Sequence, residues 1–233
     1  MSNNITFPFQ LISKTETREE NIVINRLFIA GWTGRNKAKM EEHIVELEEL
    51  GIKRPSRTPV FYRASFDRLT QREHMQSPGN FSSGEVEFIM VAHNGALWVG
   101  IGSDHTDREV ETYGITVSKH MCDKPIARTL WPMAEIAPHW DQLQLKSYAV
   151  DGGERRLYQD GGVASMLTPD DLLAEFKAVH GEDFQQGDII FCGTMPAIGG
   201  IKPAERFEFE ISDPVLGRKI SHGYDIEILP IND

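Results

Sequence analysis

The stretch Ser83-Gly84-Glu85-Val86-Glu87-Phe88-Ile89-Met90-Val91 constrains this chain more than any other. On a β-strand, alternate side chains share a face. Glu85 and Glu87 therefore point one way with Ile89 and Val91, while Val86, Phe88 and Met90 point the other. A strand that is apolar on both faces is a buried strand, yet this one opens on two carboxylates. Unpaired buried carboxylates lose hydration and repel each other. A divalent cation that favours hard oxygen ligands, Mg²⁺, Mn²⁺ or Ca²⁺, would resolve both problems. The plainer alternative is an exposed strand end, where acids are ordinarily solvated.

Around this stretch the pattern is mainly β. Residues 60–63, 97–101, 143–150, 155–159, 188–192 and 206–211 read as short strands, and Asp151-Gly152-Gly153 as a hairpin turn. Residues 5–30 read as an extended arm with one or two strands. A helix is expected over residues 36–50, where Met40, Ile44 and Leu47 recur at helical spacing and Gly51 is a natural stop. One further clear helix is marked by Thr168 as N-cap, Pro169 at the first helical position and Asp171 as the capping acid, and it should end near Gly181. Many short strands and few helices predict an α+β, β-rich chain built as a sandwich or a rolled barrel.

The net charge of -11 argues against a dedicated nucleic-acid binder, because no basic run offsets phosphate repulsion. An anionic small-molecule substrate would need a local cation to receive it. No apolar run reaches membrane-spanning length, and residues 1–10 lack a basic region followed by a long apolar stretch. The two cysteines, Cys122 and Cys192, lie far apart, and the expectation is a soluble cytoplasmic protein with reduced thiols.

Three further groups bear on chemistry. Gly102-Ser103-Asp104-His105-Thr106-Asp107-Arg108-Glu109 follows an apolar strand and offers Asp104 as a third metal ligand, or else a solvated turn. His43 and Glu46 are three residues apart on the first helix and so share a face; a histidine oriented by a carboxylate can serve as general base, although the surrounding glutamates also fit a surface helix. Lys119 could hold a carboxylate or an oxyanion by charge, and Thr194 sits in a Gly-bounded turn after a strand. The alternatives are a solvated lysine and an ordinary turn threonine.

Taken in order, these segments resemble the fumarylacetoacetate hydrolase superfamily over residues 28–230. Glu85-Val86-Glu87 is similar to its Glu-x-Glu metal motif, and residues 104–111 to its Asp-x-Ser/Thr-Ala-Arg-Asp-x-Gln segment. Gly31 to Glu46 resembles the entry into a lid helix bearing His-x-x-Glu. Pro59-Val60-Phe61-Tyr62-Arg63-Ala64-Ser65, Ser118-Lys119, residues 159–166 and residues 187–199 resemble further family elements. Within the superfamily the chain looks most like a branch known as a domain of unknown function (DUF2848-like). The resemblance implies a rolled, mixed β-sheet (a β-roll or barrel) with a lid helix, an N-terminal arm over residues 1–27 ahead of a catalytic domain over 28–233, and a homodimer. It also implies Mg²⁺ or Mn²⁺ held by Glu85, Glu87 and Asp104. Arg63 stands where the family usually has lysine, Glu111 where it often has glutamine, and Ala197 where it has glycine.

The reaction implied is metal-dependent C–C hydrolysis of a small 2-oxo-acid or its enol, acylpyruvate-like, with tautomerisation, isomerisation or decarboxylation as alternatives. His43 and Glu46 would supply the base, Arg108 and Lys119 positive charge, and Arg63 and Thr194 contacts to the substrate. The rivals are a cysteine hydrolase using Cys192, and a non-catalytic 2-oxo-acid binding protein on the same fold.

Overall fold

A two-residue turn fixes the register on which the rest is built. The computed structural model describes residues 4–49 and 54–232, apart from several side chains of the first helix. Val86–His93 and Ala96–Ser103 form an antiparallel hairpin joined by Asn94-Gly95. Both turn residues have positive φ, 50° and 71°, the conformation that Asn-Gly adopts in tight hairpins. Counting back from the turn pairs Glu87 with Gly102 and Val86 with Ser103. One step further, the Asp104 N–H donates to the Glu85 carbonyl at 3.0 Å. The turn thereby sets Asp104 across from Glu85.

This hairpin lies in the middle of an eight-stranded mixed sheet. Its order is Thr17–Ile24, Ile5–Ile12, Thr129–Pro132, Ala96–Ser103, Val86–His93, Asp188–Phe191, Arg26–Gly31, Val60–Ala64. Ile5–Ile12 pairs in parallel with Thr129–Pro132, and Asp188–Phe191 with Arg26–Gly31; the other pairs are antiparallel. A second sheet of five strands runs Glu154–Gly162, Gln144–Asp151, Arg206–Asp213, Arg218–Leu229, His74–Pro78, the last pair being parallel. The large sheet separates two cores. Val86, Phe88 and Met90 face one core, shared with Phe207 and Phe209 of the second sheet and with Leu172 and Phe176. Ile89 and Val91 face the other, with Phe9, Leu11, Ile22 and Phe191. The alternation expected of the central strand is realised as one face to each core.

The fold is α+β and rich in strands, with a curled sheet, as expected. The first helix runs Lys37–Glu49. The second runs Pro169–His180: Thr168 accepts from the Asp171 N–H, and Gly181 closes the helix in the left-handed conformation. Two short helices, Arg108–Tyr113 and Ile115–Met121, lie where only an acid-rich segment was read. Residues 5–30 form three strands where one or two were expected, and His74–Pro78, Thr129–Pro132 and Arg218–Leu229 are further strands without a counterpart in the sequence reading. No helix among the described residues is long and apolar enough to cross a membrane.

Gly102 sits opposite Glu87, and a Cβ there would lie 2.6 Å from the ring of the fully buried Phe191. Overpacking of this kind costs roughly 1–3 kcal/mol. Gly102→Ala should lower the urea midpoint accordingly without changing the transition slope. An unchanged midpoint would show that the strand spacing is looser than the register implies.

Candidate active site

The three acids meet because the hairpin register places them so. Glu85, Glu87 and Asp104 each offer a carboxylate oxygen, and these oxygens lie within 4.8 Å of one another. Glu87 and Asp104 are buried and Glu85 is partly exposed. Ionised and alone, such a cluster would be strongly disfavoured. The Gly193 N–H donates to Glu87 Oε2 at 2.6 Å. Gly193 has φ 97°, and a Cβ there would fall 1.8 Å from Thr33 Oγ1, so the close approach that aims this N–H requires glycine. Even so, burial and the neighbouring Asp104 drive the Glu87 carboxyl well above its ordinary pKa, against the pull of Lys119.

Basic side chains offset the rest of the cluster. Lys119, from the Ile115–Met121 helix, donates to Asp104 Oδ2. Lys124 Nζ lies 3.0 Å from Asp104 Oδ1 and donates to the His105 carbonyl; both Lys124 and Asp104 are fully buried. Burial would raise the Asp104 pKa, but the two ammoniums outweigh it and hold the carboxyl below its ordinary range. Burial likewise works against the Lys119 ammonium and is overcome by Asp104, Glu85 and Glu87, so its pKa is raised. Arg108 reaches Glu85 Oε1 at 3.1 Å, Glu111 Oε2 at 3.0 Å and Ser83 Oγ at 2.8 Å.

This constellation forms part of the wall of a cavity of about 1140 Å³. Glu85, Glu87, Arg108, Lys119 and Thr194 line it, and Lys39 and Met40 of the first helix stand on its border. The helix therefore lies where a lid would. The side chains of His43 and Glu46 fall outside the described residues, so the structure does not place that pair.

Two expectations about substrate contacts need correction. Arg63 is absent from the cavity wall. Its neighbour Tyr62 faces the cavity, so strand alternation turns Arg63 away; its guanidinium lies 5.0 Å from the Phe28 ring centroid and donates to the Leu27 carbonyl. Thr194 lines the cavity, but its hydroxyl proton goes to the Val86 carbonyl at 2.7 Å, and the same oxygen accepts from Gln159 Nε2 at 2.8 Å. A hydroxyl has one proton, so in this arrangement Thr194 Oγ1 has none to give a substrate carboxylate.

Other contributors went unread in the sequence. Lys124 lies between Asp123 and Pro125, in a segment to which the sequence assigns no element; the Lys124–Pro125 strand, pairing in parallel with Leu69–Thr70, carries it inside. Gln159 was noted only as the end of a strand and the start of a family-like segment, yet it accepts from Val86 N–H and Ser147 Oγ and donates to Thr194 and the Met195 carbonyl. Tyr62 places its ring centroid 5.7 Å from Lys119 Nζ. Cys192 has the wrong surroundings for a nucleophile: it is fully buried, and burial followed by Glu87 pushes its thiol pKa well up.

The donor set fits a hard divalent cation. It offers a carboxylate oxygen from each of three acids, and Asp104 Oδ1 is buried without a hydrogen bond of good geometry despite the lysine beside it. Among the described residues no nitrogen or sulfur ligand joins the cluster, and an all-oxygen set suits Mg²⁺ or Mn²⁺ better than Zn²⁺.

Residues 30–224 match the family described as "Protein of unknown function (DUF2848)". No curated protein matches the sequence. Solved structures do. A yeast protein of the fumarylacetoacetate hydrolase family, ynq8, superposes with a TM-score of 0.63 at 18% identity, over 90% of this chain and 95% of that one. Cg1458 gives 0.62 at 16%, over 93% and 85%. A 2-keto-3-deoxy-D-arabinonate dehydratase complexed with magnesium and 2,5-dioxopentanoate gives 0.59 at 16%, over 88% and 74%. The chain belongs to the DUF2848 family, a divergent branch with the fumarylacetoacetate hydrolase fold.

Glu87→Gln removes charge at nearly constant volume. It should weaken Mn²⁺ binding by roughly 100-fold or more, at or beyond the upper end seen for loss of an outer-sphere partner, and leave the melting temperature unchanged or higher. Calorimetry and thermal denaturation check both. Undiminished Mn²⁺ affinity would mean that the acids do not share a cation.

Proposed function

We propose that this chain is a divalent-metal-dependent hydrolase that cleaves a C–C bond in a small, acylpyruvate-like 2-oxo-acid. The observation that carries the reading is the convergence of Glu85 and Glu87, which line one cavity with Lys119 and Arg108, on the buried Asp104. The fold is shared with proteins of the fumarylacetoacetate hydrolase family, and the magnesium-complexed dehydratase supports both the metal and the substrate class.

Glu85, Glu87 and Asp104 would hold Mg²⁺ or Mn²⁺, with Ca²⁺ as a further candidate. When bound, the cation would supply Lewis acidity toward the 2-oxo and carboxylate oxygens of the substrate. The protein's own groups do the rest. Lys119 has three donors, of which the Asp104 bond uses one. Its remaining charge and that of Arg108 stabilise the enolate oxygen that develops as the bond weakens. The Gly193 N–H keeps Glu87 oriented toward the cluster. The Lys37–Glu49 helix closes over the cavity and excludes bulk water. On that helix His43, three residues from Glu46, would take a proton from water as its hydroxide adds to the acyl carbonyl carbon, and would return that proton to the enolate carbon released when the C–C bond breaks.

Enolate stabilisation is also the core of tautomerisation, isomerisation and decarboxylation, and the described residues supply it whichever bond changes. If no water is admitted, one of those reactions replaces hydrolysis. A binding protein that never turns over its ligand is the remaining reading.

Acylpyruvates, oxaloacetate and related enols should be screened with Mg²⁺ and Mn²⁺, with and without chelator. Turnover of at least one, abolished by chelator and restored by metal, is the expected result. Lys119→Met should lower kcat by roughly 100-fold, as for loss of one oxyanion donor. His43→Ala should lower kcat with little change in KM. Metal-dependent binding without turnover across the panel would leave only the binding-protein reading.

A further inference from the structure

We propose that Lys124 is a fixed internal counter-ion that makes the cation and an anionic oxo-carboxylate bind cooperatively at this site. The inference rests on the metal site proposed above and assigns a role to a residue outside its ligand set.

The geometry is specific. Lys124 is fully buried, its Nζ is 3.0 Å from Asp104 Oδ1, and it also donates to the His105 carbonyl. Lys119 engages the other oxygen of the same carboxylate. Each oxygen of the third acid thus already faces an ammonium. Across the contacting groups, the carboxylates of Glu85, Glu87, Asp104 and Glu111 oppose three cations, Lys119, Lys124 and Arg108. With every group ionised the cluster carries one net negative charge. Without Lys124 it would carry two, and a divalent cation alone would neutralise it.

With Lys124 in place, a divalent cation leaves one positive charge in excess inside a poorly solvated wall, where like charges a few ångströms apart repel strongly. The carboxylate of a 2-oxo-acid cancels that excess. The ternary complex is then electrically balanced, and the complex with metal alone is not. Lys124 itself cannot reach the substrate, since no part of it is exposed and its ammonium lies against Asp104 and the His105 carbonyl. It acts through the cluster charge alone, as a brake on metal binding.

The test is calorimetric titration of Mn²⁺ into the purified chain, with and without saturating pyruvate as the oxo-carboxylate probe. In the unsubstituted protein pyruvate should tighten Mn²⁺ binding by roughly 5–150-fold, the usual range of coupling between sites, and Mn²⁺ should tighten pyruvate binding by the same factor. Lys124→Met removes the charge and keeps the length of the stem. It should tighten Mn²⁺ binding without pyruvate by about tenfold and shrink the coupling factor. A residue that merely supports Asp104 sterically would do the opposite, because its loss would weaken Mn²⁺ binding. Lys124→Arg keeps the charge and should retain the coupling, so it serves if the methionine variant does not fold. Mn²⁺ binding that is indifferent to pyruvate, or that weakens in Lys124→Met, overturns this inference and leaves the metal site standing. Failure of Mn²⁺ to bind in either condition overturns both.

Discussion

Glu87 is the constraint around which the site is organised. It is a carboxylate in a stretch, Val86 to Val91, whose other side chains are apolar and buried, and it offers an oxygen within 4.8 Å of those of two more acids. A chain keeps such a group only if something compensates it, since an unpaired buried charge costs several kcal/mol. Here the compensation comes from the Gly193 N–H, from the lysines on Asp104 and, as proposed, from a cation. The left-handed turn at Gly193, the short helices that deliver Arg108 and Lys119, and the small strand that brings Lys124 inside all serve that end.

The site is also mechanically simple. Glu85, Glu87 and Asp104 belong to a single hairpin, so their spacing is set by a strand register. Antiparallel pairing moves every side chain to the opposite face if it slips by one residue. Here such a slip would drive Glu87 into the core of Phe88 and Met90. The positions of the acids are therefore as well determined as the core itself. The groups that touch them come from elsewhere, through the cavity wall, and can differ without disturbing that spacing.

Much of this was legible in the sequence where the signal is local. The alternation of residues 85–91 foretold a strand apolar on both faces, and the Thr168, Pro169, Asp171 and Gly181 signals gave the second helix within a residue. What escaped depends on partners distant in the chain. His74–Pro78 is a weak strand alone and is held by its parallel pairing with the far end of Arg218–Leu229. The Arg108–Tyr113 helix is only six residues long, and its Asp107 cap looked like one more acid in a charged run. Arg63 was misassigned because the neighbouring residue, Tyr62, occupies the face that matters. Lys124 was missed because nothing beside it in sequence shows what it will be buried against.

The wall behind Asp104 carries a consequence for how the chain reaches this state. Tyr224 donates or accepts at Ser103 Oγ, 2.9 Å away, and at His105 Nδ1, 2.7 Å away, on either side of Asp104. Its strand pairs with His74–Pro78, and side chains in that pairing, Gln76 and Glu227, are separated by 151 positions. Contacts of such span form late and slowly, because the intervening chain must first give up its freedom. During synthesis the hairpin with its three acids exists well before Tyr224 has been made. In that interval the apolar face of Val86, Phe88 and Met90 has no second sheet to cover it. The segment that carries the three acids is thus open to wrong association in a nascent chain until that sheet forms.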